Sequence, residues 1–121
     1  MKRCLVVDDS GVVRGIARGF LQELGFEISE AMNGRDALRS CGQAMPDGVL
    51  LDWNMPVMNG LEFLRALRAT PGGERPKVMF CTTENNLAQM ELAMAAGADG
   101  AIVKPFDRHA LRDQLRRLEL I

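Results

Sequence analysis

The sequence predicts an α/β fold: one doubly wound parallel sheet of five strands with five helices. Two observations predict it. Short β-like runs alternate with segments at helical spacing, joined by short connections. The first, third and fourth runs are continuously apolar, as strands covered on both faces must be. Right-handed crossovers between such strands then place helices on both sides of the sheet.

The strands are expected at 3–7, 26–30, 48–51, 77–81 and 100–103, and the helices at 11–24, 34–41, 59–69, 86–96 and 108–119. In the first helix Val12, Val13, Ile16, Ala17, Phe20, Leu21 and Leu24 recur as one apolar face, with Arg14, Arg18 and Gln22 opposite. Gly11, Gly15 and Gly19 share a spacing of four, read either as close packing on a neighbouring helix or as room for a partner. The last helix carries a Leu111, Leu115, Leu118 stripe with Asp107 placed as its cap. "TPGGERP" at 70–76 breaks the third helix before the fourth strand. No linker or repeat divides the chain, so residues 1–121 are read as one domain.

Composition narrows the function classes. With 47% hydrophobic and 26% charged residues and a net charge of −1, no long-range field draws the chain to DNA or to a membrane surface. No apolar run reaches the ~20 residues of a membrane span. The three cysteines form no C-x-x-C pair, and the single histidine leaves little for a zinc site. The cytoplasm is the expected compartment.

The residues just beyond each strand carry the chemistry. In a doubly wound sheet ligands bind at the carboxyl ends of the strands. Asp8 and Asp9 come after the first run, Asp52 after the third, Thr82 and Thr83 after the fourth, and Lys104-Pro105 after the fifth. The second ends in Ala31 and adds nothing. Three carboxylates on one rim call for a cation, and hard oxygen donors suit Mg²⁺ or Mn²⁺. A lysine and a hydroxyl opposite them suit the oxygens of a phosphoryl group, for which aspartate is a capable nucleophile. Singly, each residue has an ordinary reading: Asp9 or Ser10 as a helix cap, Asp52 as a turn opener, Thr82 as a cap, Lys104 as a solvated lysine. Together those readings require four coincidences on one edge.

With "LVVDDS", "LLDWNMPVMNG", "CTTEN" and "AIVKPFD" in order, the chain resembles the receiver domains of two-component response regulators, and especially the single-domain chemotaxis type. The resemblance implies a flavodoxin-like sheet of strand order 2-1-3-4-5. It implies that Asp52 accepts a phosphoryl group from a phosphohistidine on a histidine kinase or histidine phosphotransfer protein. Asp9, Asp52 and the backbone carbonyl of Asn54 would ligate Mg²⁺, with Asp8 acting through water. Lys104, after a cis Lys104-Pro105 bond, and Thr82 would contact the phosphoryl group. Asn54 and Glu84 would tune its hydrolysis. One departure stands out: where the family carries an aromatic switch residue on the fifth strand, this chain has Ala101, and it contains no tyrosine. The loop from Thr83 to Asn86 is the alternative place for a phosphate-driven rearrangement.

The chain ends after the fifth helix, so output is expected through contacts with a downstream protein, with no DNA and no membrane. Arg108, Arg112 and Arg116 recur every four residues there, either as a solvated face or as a docking stripe. The alternatives to a signalling phosphoacceptor are a phosphate sink or relay intermediate, a small aspartate-nucleophile phosphatase, and a cyclic-dinucleotide-binding adaptor. A flavin binder is disfavoured because no glycine-rich loop comes after the first strand.

Overall fold

The structure, a computed structural model, describes residues 2–83 and 86–121. The elements run β1 (Arg3–Val7), α1 (Gly11–Glu23), β2 (Glu27–Ala31), α2 (Gly34–Gln43), β3 (Gly48–Asp52), α3 (Gly60–Ala69), β4 (Lys77–Thr82), α4 (Leu87–Ala95), β5 (Gly100–Val103) and α5 (Arg108–Arg117). All strand pairs are parallel, in the order β2-β1-β3-β4-β5. The expected fold and strand order are what the chain adopts.

Side chains alternate across a strand, so each central strand feeds two cores. Leu5, Val7, Val49, Leu51, Val78 and Phe80 pack with Ala37 of α2, Phe63, Leu64 and Leu67 of α3, and Ala93 of α4. Cys4, Val6, Leu50, Met79 and Cys81 face the other way, against Ala17 and Leu21 of α1 and Leu111 and Leu115 of α5. All three cysteines are buried free thiols. Burial pushes the Cys4 thiol up to about 12 and the Cys41 thiol up to about 11, which keeps both protonated and unreactive.

Helix starts are written locally. The side chains of Ser10, Asn33, Asn59, Asn86 and Asp107 each accept a backbone N–H of the first turn. Asn59 and Glu62 complete a reciprocal capping box.

The first helix departs from expectation. Val12 is 75% exposed and Ile16 49% exposed, although they belong to the apolar face read from the sequence. At 100° per residue, Ala17 and Leu21 point at the sheet while Val12 and Ile16 rotate to its flank. Gly15 and Gly19 lie on the solvent side with no heavy atom near a Cβ position, so helix packing does not explain them.

One side chain ties the amino edge of the sheet together. Arg68 on α3 donates through Nη1 to the carbonyls of Gly73 and Pro76, both at 2.8 Å. Through Nη2 it donates to Gly97 O at 2.7 Å and Asp99 Oδ2 at 3.0 Å. Asp99 also accepts the Val78 N–H that opens the β4 core segment, at 2.8 Å. Truncation strands several part-buried acceptors at once. Arg68→Ala is expected to cost about 2–3 kcal/mol of stability, read as a lower urea midpoint at constant slope.

Candidate functional site

The parallel register brings the acidic residues to one level. Val7 lies opposite Leu51, so Asp8 continues β1 beside Asp52, the last residue of β3. The Asp8 N–H donates to Ala31 O at 3.1 Å, extending the ladder to β2 by one residue. One carboxylate oxygen from each of Asp8, Asp9 and Asp52 lies within 4.8 Å of the other two.

Asp8 is 3% exposed and fully engaged. Its Oδ1 accepts the Ser10 N–H at 2.9 Å and its Oδ2 accepts the Lys104 ammonium at 2.5 Å. The same ammonium stands 3.1 Å from Asp52 Oδ1. Lys104 comes directly after β5, its backbone N–H bonded to Thr82 O at 2.6 Å, and the Lys104–Pro105 bond is cis as expected. Asp9 is exposed on the same rim.

The ordinary readings of these residues can now be weighed. Ser10 is the α1 cap, with the Val13 N–H donating to Oγ at 3.2 Å, which leaves Asp9 out of that role. Asn86, not Thr82, caps α4. Thr82 is buried at the end of β4 and lines, with Asp52, Asn54, Thr83 and Gln89, a cavity of about 90 Å³. Lys104 is the reverse of a solvated lysine. Gln89, one turn into α4, has no counterpart in the strand-end pattern, since only the docking of α4 brings it to the cavity.

The backbone behind Asp52 is tightly fixed. The Gly60 N–H donates to Trp53 O at 2.9 Å, and a Cβ on Gly60 would run into the carbonyl of Asp52 itself. The Trp53 ring stands edge-on to Phe80 with centroids 5.0 Å apart. Ala101 is half-buried on β5 in register with Phe80. Glu84 lies outside the described residues, as does part of the loop from Thr83 to Asn86. Arg108, Arg112 and Arg116 are exposed and do not join the acidic cluster. Arg108 is paired with Glu23 at 3.3 Å across an exposed contact and lies over the Phe20 ring.

The second strand does contribute, through a contact that no strand-end residue announces. Arg14 on α1 donates through Nη1 to the carbonyl of Asp8 at 2.7 Å and through Nε to Glu30 of β2 at 3.1 Å. Nothing in the spacing of Arg14 and Glu30 signals it, because only the packing of α1 against β2 creates it.

Electrostatics depend on the packing. Burial, and then the charge of Asp8, raise the Asp52 pKa, with Lys104 opposing only in part. For Lys104 burial acts downward, but the hydrogen bond to Asp8 and the charges of Asp52 and Asp8 outweigh it, so its pKa is raised and it stays a cation. The donor set, all carboxylate oxygen, fits a hard divalent cation.

Because the folded-state pKa of Asp52 lies above the unfolded value of ~3.9, its favourable contribution is complete below that value and is lost as pH rises through the raised one. In metal-free buffer at pH 7 the Asp52→Asn chain is therefore expected to melt higher than wild type. The gain should vanish by pH ~3.5, where both states bind the proton. Thermal unfolding in EDTA at the two pH values checks the sign.

Residues 4–116 match the sequence pattern of the response regulator receiver domain. The chain is similar to the chemotaxis protein CheY of Pseudomonas aeruginosa, 35% identical over 117 residues that cover 96% of this chain and 94% of that protein. It is 37% identical to CheY1 of Helicobacter pylori over 115 residues, 93% of each. Its structure is similar to that of the Vibrio cholerae chemotaxis protein CheY4, with a TM-score of 0.92, 37% identity and 97% and 98% of the two chains covered. It is also similar to the receiver domain of a Pseudomonas aeruginosa sensor histidine kinase, which holds a magnesium ion in its active-site cleft (TM-score 0.88, 28% identity, 96% and 95% covered).

Proposed function

The chain belongs to the response regulator receiver domain family, and on that premise we propose that Asp52 accepts a phosphoryl group from a phosphohistidine in a Mg²⁺-dependent reaction. Receiver domains are signalling proteins rather than enzymes in the ordinary sense, they take up Mg²⁺ in an acidic pocket, and they work between histidine kinases and downstream targets. The observation that carries the reading for these residues is the cluster of three carboxylates with the Lys104 ammonium bridging Asp8 and Asp52.

Asp9, Asp52 and the backbone carbonyl of Asn54 would hold the cation, with Asp8 acting through water. When bound it offsets the carboxylate charge and draws the phosphoryl oxygens into the site. An Asp52 carboxylate oxygen attacks phosphorus as the P–N bond to the donor imidazole breaks, and the imidazole keeps the electron pair and takes a proton from solvent. Lys104 balances charge on the phosphoryl oxygens, and the Thr82 hydroxyl donates to one of them. Water later attacks phosphorus, releasing phosphate and restoring the carboxylate. Asn54 lines the cavity where that water arrives, and Glu84 completes the pair that sets its rate. The coupled change passes through Thr82 without an aromatic at Ala101.

The rim around the acids is apolar in a way that suits a protein donor. Val12 lies beyond β1, Met32 beyond β2, Val57 beyond β3 and Leu87 beyond β4, all exposed. Ile16, Pro105 and Phe106 line a groove of about 370 Å³ alongside Lys104. An amphipathic helix presenting its histidine to Asp52 would cover this surface. Exposed Leu92 and Met94 of α4 and Val103 of β5, with Arg112 and Arg116 of α5, are left for a downstream protein.

Intact mass after incubation with phosphoramidate tests the chemistry. One added phosphoryl group is expected with Mg²⁺, none with EDTA, and none in Asp52→Ala; label persisting in that variant or without the cation would defeat the reading. The docking claim has its own check. Ile16→Asp is expected to slow transfer from a phosphohistidine protein at least tenfold while leaving the phosphoramidate rate within about twofold, since a charge is buried only in the protein complex.

A further inference from the structure

The Arg14, Arg18 and Glu30 cluster lies behind the connection from β1 to α1, outside the set of groups that touch the cation or the phosphoryl group. Arg14 Nη1 reaches the Asp8 carbonyl at 2.7 Å while its Nε pairs with Glu30 Oε1 at 3.1 Å. Arg18 pairs with the other oxygen of Glu30. The Arg14 and Glu30 side chains are only 18% and 23% exposed, so the geometry is shielded from water. Glu30 itself is fixed by register, opposite Val6 of β1.

The carbonyl that Arg14 holds belongs to the peptide plane joining Asp8 to Asp9. A peptide unit is planar, so fixing its oxygen fixes the nitrogen and the Cα of Asp9 as well. Asp8 has its own restraints in Ser10 and Lys104. The Asp9 carboxylate takes no hydrogen bond among the described residues, so its backbone, which sets where its Cβ points, is what the fold restrains.

We propose that Arg14, held by Glu30, is a positioning residue for the divalent cation: it locks the Asp8–Asp9 peptide plane and so aims the Asp9 carboxylate. This rests on the reading of the acidic cluster as a cation site. A guanidinium is suited to the task because its planar fork serves the carbonyl and the carboxylate together, which an ammonium on a flexible stem cannot do with the same geometry. The sign of its effect separates positioning from simple charge. A bare positive charge beside a dication weakens binding, so deleting it would tighten the complex. Deleting a positioning group loosens it.

The test is Mg²⁺ titration of the full chain, read by calorimetry and by the fluorescence of Trp53, its single tryptophan, with melting temperature in EDTA recorded in parallel. Arg14→Ala is expected to raise the Mg²⁺ Kd about tenfold, the lower end for loss of a group that orients a metal ligand. Arg14→Lys should recover less than half of that loss. Arg14→Met, which keeps the packed stem but loses the guanidinium, should also raise the Kd where a charge effect would lower it, and supplies the answer if Arg14→Ala does not fold. A lower melting temperature with an unchanged Kd would assign Arg14 a structural role only, and a tighter Kd would assign it a charge effect; either overturns the proposal. No Mg²⁺ response in the wild type overturns it together with the cation-site reading. A normal Mg²⁺ response without phosphorylation would strike the phosphoacceptor reading alone.

Discussion

The Lys104 ammonium, set between the buried carboxylate of Asp8 and the part-buried one of Asp52, is the contact on which the site depends. It stands 2.5 Å from Asp8 and 3.1 Å from Asp52, bridging side chains that the sequence separates by 96 and 52 positions. Without it two negative charges would face each other on a poorly solvated rim with no cation between them. With it the rim still carries an excess of negative charge, because Asp9 adds a third carboxylate. The pKa of Asp52 is raised by its burial first and by the charge of Asp8 second, with Lys104 opposing only in part. An all-carboxylate donor set of this kind suits a hard divalent cation, and receiver domains take up Mg²⁺ in an acidic pocket.

The sheet turns this electrostatic problem into a geometric one. Parallel strands end on one side, so every strand-to-helix connection meets the same rim. β1, β3 and β4 are buried on both faces and cannot shift without emptying one core or the other. Gly60 lets the chain return directly against the backbone of Asp52. Rigid strands thus hold Asp52, while the more exposed connections around them carry exposed apolar side chains.

The absence of an aromatic at Ala101 changes how such a rim communicates with the rest of the fold. Ala101 lies beside Phe80, and the ring that packs on Phe80 is that of Trp53, the neighbour of Asp52. An inward swing of a β5 side chain is not available to a methyl group. The Trp53 ring ties the neighbour of Asp52 to the β4 core, and the Lys104 N–H ties the end of β5 to the Thr82 carbonyl.

Much of this was legible in the sequence because it is local. Continuous apolar runs marked the buried strands, helical spacing marked the helix starts within a residue, and the polar residues after four of the five strands marked the acidic rim. A local pattern is fixed by backbone periodicity and by side chains within one turn, both of which the sequence displays directly. The contacts that only the tertiary structure decided join residues from different elements. Arg14 reaches Asp8 and Glu30 because α1 packs over β2, and Gln89 enters the cavity because α4 docks beside β4. Val12 and Ile16 belong to the core by their spacing, but the rotation of α1 on the sheet turns them to the rim. Spacing gives the direction of a side chain around its own helix, whereas the angle at which that helix meets the sheet is set by how all the facing side chains pack.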